Sequence, residues 1–467
     1  MKKILTDFGQ AIKHGDLFTG LSLLIMGMGY WGRGQIVKGL IVTLTEAGFF
    51  LFTGKVSLQY ISKLGTLGTV QREEVLDLVT LTKKVNDFDN SLQILLFGIV
   101  GILIIVAFIA YYISNMVSVY ELQKLKNEGK HINSFKEDLG ELLNEKFHIT
   151  LLTLPALGVI LINVIPIIFM ICIAFTNYDR DHQPPTYLFT WVGVENFISL
   201  FTSTATSTFG YVFVRVLAWT LVWAPIATFT TYFGGIMLAK LINDRQVRFK
   251  KMWRTFFVIT IAIPQFVTLL LIGKMFSDYG IINSICLKIG LVDFLQKIGL
   301  ISEGMRYIPF LSKPGWAHIM IILINLWVGI PFQMLSATGI LLNIPADQLE
   351  SARIDGASER QIFAKIIMPY IFFITGPSLV TSLISNINNF NVIYLLTSDY
   401  ITPSLKFANS SSKEVDLLVT WLFTLTNSDS NYKMASVIGI IVFLICALGT
   451  LLSFSRLLKD NREEDFQ

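Results

Sequence analysis

The stretch ESARIDGASERQIFAKIIMP, residues 350–369, separates two strongly apolar runs. HIMIILINLWVGIPFQMLSATGILL (318–342) precedes it and YIFFITGPSLVTSLISN (370–386) follows it. Within it stand Glu350, Arg353, Asp355, Glu359, Arg360 and Lys365. Each flanking run approaches the roughly 20 apolar residues that cross a bilayer as a helix. The polar stretch therefore reads as a loop at a membrane surface, and the fold as a set of spans around it.

The rest of the chain agrees. Of its 467 residues 53% are hydrophobic and 15% charged, with a mean hydropathy of +0.61. Soluble domains carry about a quarter charged residues. A net charge of +4 is too small to argue for nucleic acid. Cys172 and Cys446 lie inside apolar runs, and the third cysteine is Cys286, so neither a disulfide framework nor a metal set is expected. The five histidines have no partner at ligand spacing. The start, MKKILTDFGQAIKHGD, lacks the small-residue cleavage site of a signal peptide.

Eight segments are long and apolar enough to span, at 35–54, 92–114, 150–176, 212–240, 253–277, 316–342, 367–388 and 434–457. A ninth piece, residues 17–31, is short and rich in Gly and Met, and reads as a re-entrant helix, an interfacial helix or a further span. Basic residues near span ends set orientation. The connection 115–149 holds Lys124, Lys126, Lys130, Lys136 and Lys146, and 241–252 holds Arg245, Arg248, Lys250 and Lys251. The tail holds Arg456, Lys459 and Arg462. Eight spans then place both termini and the loop 343–366 in the cytoplasm of a multi-pass cell-membrane protein. The connection 55–91 comes out external despite Lys55, Lys63, Arg72, Lys83 and Lys84, which five acids partly balance. The external connections 278–315 and 389–433 contain short amphipathic pieces, with Trp316 and Trp421 as aromatic anchors. Three regions result: 1–60 (N-terminal segment and first span), 61–149 (external loop, second span and linker) and 150–467 (a core of six spans).

Helix signals inside the polar loop are good. Pro345 suits a helix start, with Asp347 and Glu350 near the positive end of the dipole. Asp355-Gly356 ends that helix, since Gly tolerates a left-handed cap. Ser358 with Gln361 is a capping box for a second helix, whose stripe is Ile362, Phe363, Ile366 and Ile367. A helix resting on headgroups would be rich in Lys and Arg on its polar face. Here acids and bases alternate, as at a protein contact.

The same loop resembles the EAA motif of ABC importer permeases: E-A-A, three residues, Gly, nine residues, then Ile and a Leu-Pro pair. Glu350, Ala352, Asp355, Gly356, Ala357, Phe363, Ile366 and Pro369 match, while Ser351 replaces an Ala and Met368 the Leu. LINLWVGIPFQM (323–334), SLISNINNFNVIYLLT (382–397) and VDLLVTWLFTL (415–425) are similar to the larger permease subunit of maltose/maltodextrin importers. GYWGRGQIVKGLIVTLTEAGFFLF (29–52) resembles the N-terminal extension of Gram-positive members. The large external domain of Gram-negative members has no counterpart of sufficient length.

The resemblance implies an all-α polytopic bundle with the type I ABC importer permease fold. It implies that the loop at 345–369 couples to ATPase subunits, with Glu350 and Arg353 as polar contacts, Gly356 as the bend, and Ala352, Asp355 and Ala357 within the motif. It implies a mid-membrane sugar site at Asn325, Val328, Gly329 and Phe332, at Ser382, Ser385, Asn386 and Asn389, and at Ile261 and Gln265. It also implies the partners: a smaller second permease, two ATPase subunits binding ATP and Mg, an extracellular lipid-anchored sugar-binding protein, and an oligosaccharide, with no cofactor or metal in this subunit. Ile261, Gln265 and Phe332 replace Tyr, Ser and Tyr of the maltose transporters, so a raffinose- or galactan-type substrate stands beside maltodextrin.

The residues support that site independently. Amides are costly in hydrocarbon and turn to a partner or a cavity. Their paired donors and acceptors suit vicinal hydroxyls. Trp327 and Phe332 offer flat faces to a pyranose ring, and Pro264 and Pro331 sit at a similar depth. Intramembrane Asn also glues helices, which is the simpler reading for Asn388 and Asn391. No phosphate-cradling G-x-x-x-x-G-K-[ST] is present: residues 48–56 have five residues between the glycines and Val56 after Lys55. A secondary carrier would need carboxylates inside its spans, and Glu46 stands nearly alone. A scaffold or an intramembrane glycosyltransferase is the remaining alternative, and no acidic metal constellation supports the latter.

Overall fold

The computed structural model describes residues 2–77, 82–202, 208–244 and 246–459. Arg245 and Arg462, two of the orienting charges, lie outside the described residues. Two compact units divide the chain, Met1–Gly193 and Val194–Gln467. The described residues are helical apart from loops, one small hairpin in which Glu74–Asp77 pairs antiparallel with Thr82–Val85, and an isolated bridge between Thr176 and Trp191.

The first unit carries spans one to three: Ile36–Lys63, Ser91–Asn127 and Phe147–Ile173. The first is longer than its apolar run, because the helix continues through a wide turn at Thr53–Ser57 to Lys63. Lys55 and Lys63 thus belong to a helix rather than to an external loop. Lys63 pairs with Asp89 at 2.6 Å, and the same carboxylate accepts the Thr69 and Val70 N–H groups. Part of the excess positive charge in that connection is therefore locally compensated.

Residues 17–31 form no ninth span. They fold into helices of 5 and 4 residues, Leu17–Leu21 and Met28–Trp31, joined by turns. Glu46 of the first span accepts the Met26 N–H at 2.8 Å. Arg33 binds Asp16 at 2.9 Å and donates to the Gly29 carbonyl at 2.6 Å. Gln123 of the second span accepts the Asp16 N–H at 2.9 Å and the Thr19 hydroxyl at 2.8 Å. The carboxylate that stood nearly alone in the apolar spans is thus a latch for a re-entrant turn.

The second unit carries the spans Phe209–Asn243, Pro314–Asn343, Glu359–Leu396 and Tyr432–Ser453, of which Glu359–Leu396 is interrupted at Asn388-Asn389. Between the first two lies a bent pair, Lys250–Ala262 and Gln265–Met275, turned by 92°. Proline causes the break: Pro264 has no N–H to donate, and the residue before a proline is driven out of the helical region. Ile263 accordingly sits at φ −86°, ψ 129°. Pro331 behaves differently and remains inside an unbroken helix.

Pairing directions show that the bent pair counts as one crossing. Between Phe209–Asn243 and Pro314–Asn343, Thr231 faces Gly329 and Gly235 faces Gln333. Further along, Asn243 Nδ2 donates to Thr338 Oγ1 at 3.3 Å. The numbers rise together, so these helices are parallel and an odd number of crossings separates them. Against Glu359–Leu396 the numbers run oppositely: Asn386 meets Thr228 and Thr375 meets Tyr232. Those helices are antiparallel, which needs two crossings between. The bent pair is the fifth of eight spans, and Pro314–Asn343, Glu359–Leu396 and Tyr432–Ser453 are the sixth to eighth.

Short helices fill the connections. Ile281–Lys288 and Leu291–Lys297 close over Cys286, Val292, Ile301 and Ile308, and the side chain of buried Asn283 serves both backbone groups of Ile308. Trp421 is no surface anchor. It is fully buried, its Nε1 donating to the Ser410 carbonyl at 2.8 Å.

Candidate functional site

Two features of the second unit carry chemistry, a cavity and a polar knob, and one helix joins them.

The cavity measures about 450 Å³ and opens where the fifth span breaks. Thr260, Ile261, Ile263, Pro264, Gln265 and Thr268 line it from that break. The sixth span contributes Asn325, Trp327, Val328, Gly329, Phe332 and Gln333. The seventh adds Thr381, Ser382, Ser385 and Asn386, and the fourth Thr231. Of the residues expected there, Ile261, Gln265, Asn325, Val328, Gly329, Phe332, Ser382, Ser385 and Asn386 are brought together. Asn389 stands outside the lining; its Nδ2 donates to Asn386 Oδ1 at 3.2 Å.

The polar lining divides by its hydrogen bonds. The hydroxyls of Thr231, Thr260 and Thr381 return to carbonyls of their own helices, Ala227, Phe257 and Pro377. Among the described residues, the side chains of Gln265, Asn325, Gln333, Ser382 and Ser385 meet no protein partner, which leaves amides and hydroxyls to the cavity. Apolar faces come from Trp327 and Phe332, 54% and 62% exposed. Pro331 cannot donate to the Trp327 carbonyl one turn back, and Pro264 likewise removes a donor at the break. The lining thus mixes aromatic faces with donors and acceptors, and carries no charge. That chemistry suits a neutral, polyhydroxylated ligand.

Gln333 was not singled out in the sequence, although a signal existed: Asn325, Gly329 and Gln333 repeat every four residues on one helix face. Thr231 carried none, being one threonine among several in an apolar span. Gly329 is required where it stands. A Cβ there would lie 2.7 Å from Thr231 Cγ2.

The knob is the polar loop at 345–369. Its first helix is Ala346–Ile354, and Gly356 follows at φ +81°. The Gly356 N–H donates to the Arg353 carbonyl at 3.1 Å and the Ala357 N–H to the Ala352 carbonyl at 3.0 Å. This is a Schellman end, in which residues at the Ala352 and Ala357 positions meet across the turn. Ser358 and Gln361 form the expected capping box, with bonds of 3.3 and 2.8 Å. Arg353 Nε binds Glu359 at 3.0 Å across the bend.

The second knob helix is not separate. It runs through a wide turn at Phe363–Ile367 into the seventh span as one helix from Glu359 to Ile387, and after a break at Asn388-Asn389 the span ends in the short helix Phe390–Leu396. Ile362 is buried, and Phe363 packs against the edge of a core cluster that joins the fourth, sixth and seventh spans through Tyr232, Ile236, Met334 and Ile371. Lys240 Nζ lies 4.0 Å from the Phe363 ring centroid. The outer surface stays bare: Glu350, Arg353 and Asp355 are exposed, and Ile354 is 85% exposed. A charged surface with one projecting apolar side chain, held rigidly on the helices that line the cavity, can transmit a push.

Comparison with known proteins agrees with this architecture. Residues 231–459 match the family described as binding-protein-dependent transport system inner membrane component. The galactooligosaccharides transport system permease protein GanP of Bacillus subtilis is 32% identical over 439 residues, 93% of this chain and 96% of that one. The maltodextrin transport system permease protein MdxF of the same organism is 30% identical over 441 residues, 94% of each. A crystal structure of a bacterial ABC transporter involved in alginate import shares the fold, with a TM-score of 0.52 at 20% identity over 70% of this chain and 99% of that one. The chain belongs to the binding-protein-dependent ABC permeases, in the branch of larger sugar-importer permeases of Gram-positive type. It is a multi-pass membrane subunit of that class.

Proposed function

We propose that this subunit carries linear oligosaccharides, maltodextrins first, into the cytoplasm by alternating access around the cavity at the Pro264 break. The observation that carries this reading is the lining itself: uncharged amides and hydroxyls beside two aromatic faces. Likeness to a maltodextrin permease supports the substrate, and likeness to a galactooligosaccharide permease favours a second, galactose-based reading.

Energy comes from elsewhere, since the chain has no phosphate-cradling sequence of its own. Two ATPase subunits with ATP and Mg engage the knob, where Glu350, Arg353, Asp355 and exposed Ile354 meet the partner. Ala352, Gly356 and Ala357 hold the knob's shape. Closure of the ATPase subunits moves the foot of the helix that runs from Glu359 to Ile387, which carries Ser382, Ser385 and Asn386 higher up. A smaller permease completes the pathway as a heterodimer, and an extracellular lipid-anchored binding protein delivers the sugar. This subunit needs no cofactor or metal. The basic connections support a cytoplasmic position for the knob and both termini.

The test is ATPase activity of the reconstituted complex with its binding protein across an oligosaccharide panel. Stimulation by maltodextrins is expected. Stimulation by galactooligosaccharides alone moves the substrate to the second reading. Failure of any ATPase subunit to associate overturns the role of the knob.

A further inference from the structure

We propose that Asn389 and Thr228 are positioning residues that fix which way round the Asn386 amide faces the cavity, an inference that rests on reading the cavity as the sugar site. Neither residue lines the cavity, whereas Asn386 does.

The argument starts from a backbone group. The Val392 N–H, in the first turn of the short helix Phe390–Leu396, donates to Asn389 Oδ1 at 3.4 Å. A backbone N–H can only donate, so this contact selects the oxygen of Asn389 and turns its NH₂ the other way. That NH₂ donates to Asn386 Oδ1 at 3.2 Å. Asn386 Nδ2 in turn donates to Thr228 Oγ1 on the fourth span at 2.9 Å. The polarity of the first bond, which cannot be reversed, is thus passed through two amides.

Flipping Asn386 would bring its NH₂ against the NH₂ of Asn389, leaving two donors face to face. The main chain is held at the same point, because Trp223 Nε1 donates to the Asn386 carbonyl at 3.1 Å. Thr228 is buried at 2% exposure, so no water competes for its hydroxyl.

An amide has two N–H donors and an oxygen with two lone pairs. One donor and one lone pair of Asn386 are used, so one of each remains at a defined place for a ligand. A fixed donor beside a fixed acceptor reads two neighbouring hydroxyls in one order only. A free amide would accept either order, so the relay converts a polar contact into a selective one.

The experiment measures uptake in proteoliposomes holding the full complex. Its substrates are the oligosaccharide that most stimulates ATP hydrolysis in the panel above and each monodeoxy analogue of it. The readout is the ratio of parent to analogue uptake. Asn389→Ser keeps a good N-cap for the short helix but removes the amide facing Asn386, and Thr228→Val removes the last acceptor. Both are expected to cut the ratio for one analogue by about fivefold, the factor one hydrogen bond of ordinary net strength supplies. Thr228→Ser should restore it. Asn386→Ala should abolish discrimination for that analogue, and adding Thr228→Val to it should change nothing further.

If Asn386→Ala alters the ratio while Asn389→Ser and Thr228→Val lower uptake of all analogues equally, the two residues are helix glue. The relay then fails while the site reading stands. If Asn386→Ala leaves the ratio unchanged, the site reading falls and takes the relay with it.

Discussion

Replacing Gly235 by Ala, with Gly234→Ala as its control, tests the contact that holds the cavity walls together. The two glycines are neighbours in the fourth span, and each substitution should gain about 0.5–1 kcal/mol of helix stability from reduced backbone freedom. Their surroundings differ. A Cβ on Gly234 would approach Ile330 Cδ1 at 2.8 Å, the far end of a flexible side chain. A Cβ on Gly235 would lie 2.3 Å from Gln333 Cβ and 2.8 Å from the Gln333 carbonyl carbon and Met334 nitrogen. No rotamer change relieves that, since the obstacles are backbone atoms and a Cβ. Ordinary contact would require the fourth and sixth spans to part by about 1 Å, and such overpacking costs about 1–3 kcal/mol. One turn away, Thr231 and Gly329 form the adjoining cavity wall, so the same shift spoils the site. Gly234→Ala should therefore melt at or above the parent temperature in detergent and keep its uptake, whereas Gly235→Ala should melt several degrees lower and lose most of it. Equal melting and equal uptake for the two variants would refute the packing argument.

Other perturbations separate the remaining claims. Glu46→Leu strips the Met26 N–H of its acceptor, and should cost about 1–3 kcal/mol and expose residues 17–34 to limited proteolysis, while Glu46→Gln, which can still accept, should change little. Gly356→Ala meets nothing within 4 Å, so its cost is the left-handed backbone alone, about 1–2 kcal/mol; sugar-stimulated ATP hydrolysis should fall while sugar binding to the cavity persists. Burial pushes the Asp416 carboxyl up to about 6 from 3.8, against hydrogen bonds from the Lys413 N–H and Thr420 hydroxyl. The folded protein thus holds that proton more tightly than the unfolded chain, so stability falls as pH rises from about 4 to about 6 and then levels off, by on the order of 3 kcal/mol. Thermal melts across that range should lose this slope in Asp416→Asn.

Much of the architecture was legible because the bilayer simplifies the code: long apolar runs must be helices, and their ends carry charge. All eight spans were found that way. The Schellman end and capping box of the knob were legible for a different reason, since Gly356, Ser358 and Gln361 act on their own backbone. Where the outcome depended on distant partners the sequence said less. Residues 17–31 had the composition of a possible span, and only the Glu46, Arg33 and Gln123 contacts reveal a re-entrant turn. Trp421 looked like a surface anchor because hydropathy cannot tell a buried indole from an interfacial one. Pro264 and Pro331 looked alike, yet one breaks its span and the other is accommodated.

That last difference bears on how the site is built. A broken span leaves carbonyl and N–H groups unserved at the bend, which is tolerable in a membrane only beside protein or a wet cavity. The break at Ile263-Pro264 faces the cavity, so the bend lies where solvent or a polar ligand can serve its free backbone groups. Straightening the fifth span by Pro264→Ala would restore a donor and relax the constraint on Ile263. It should stabilise that helix while closing the space lined by Gln265. A variant that melts higher but transports less is the expected result. If it melts higher and transports as well as the parent, the bend is incidental to the cavity, and Gln265 reaches the ligand by some other geometry.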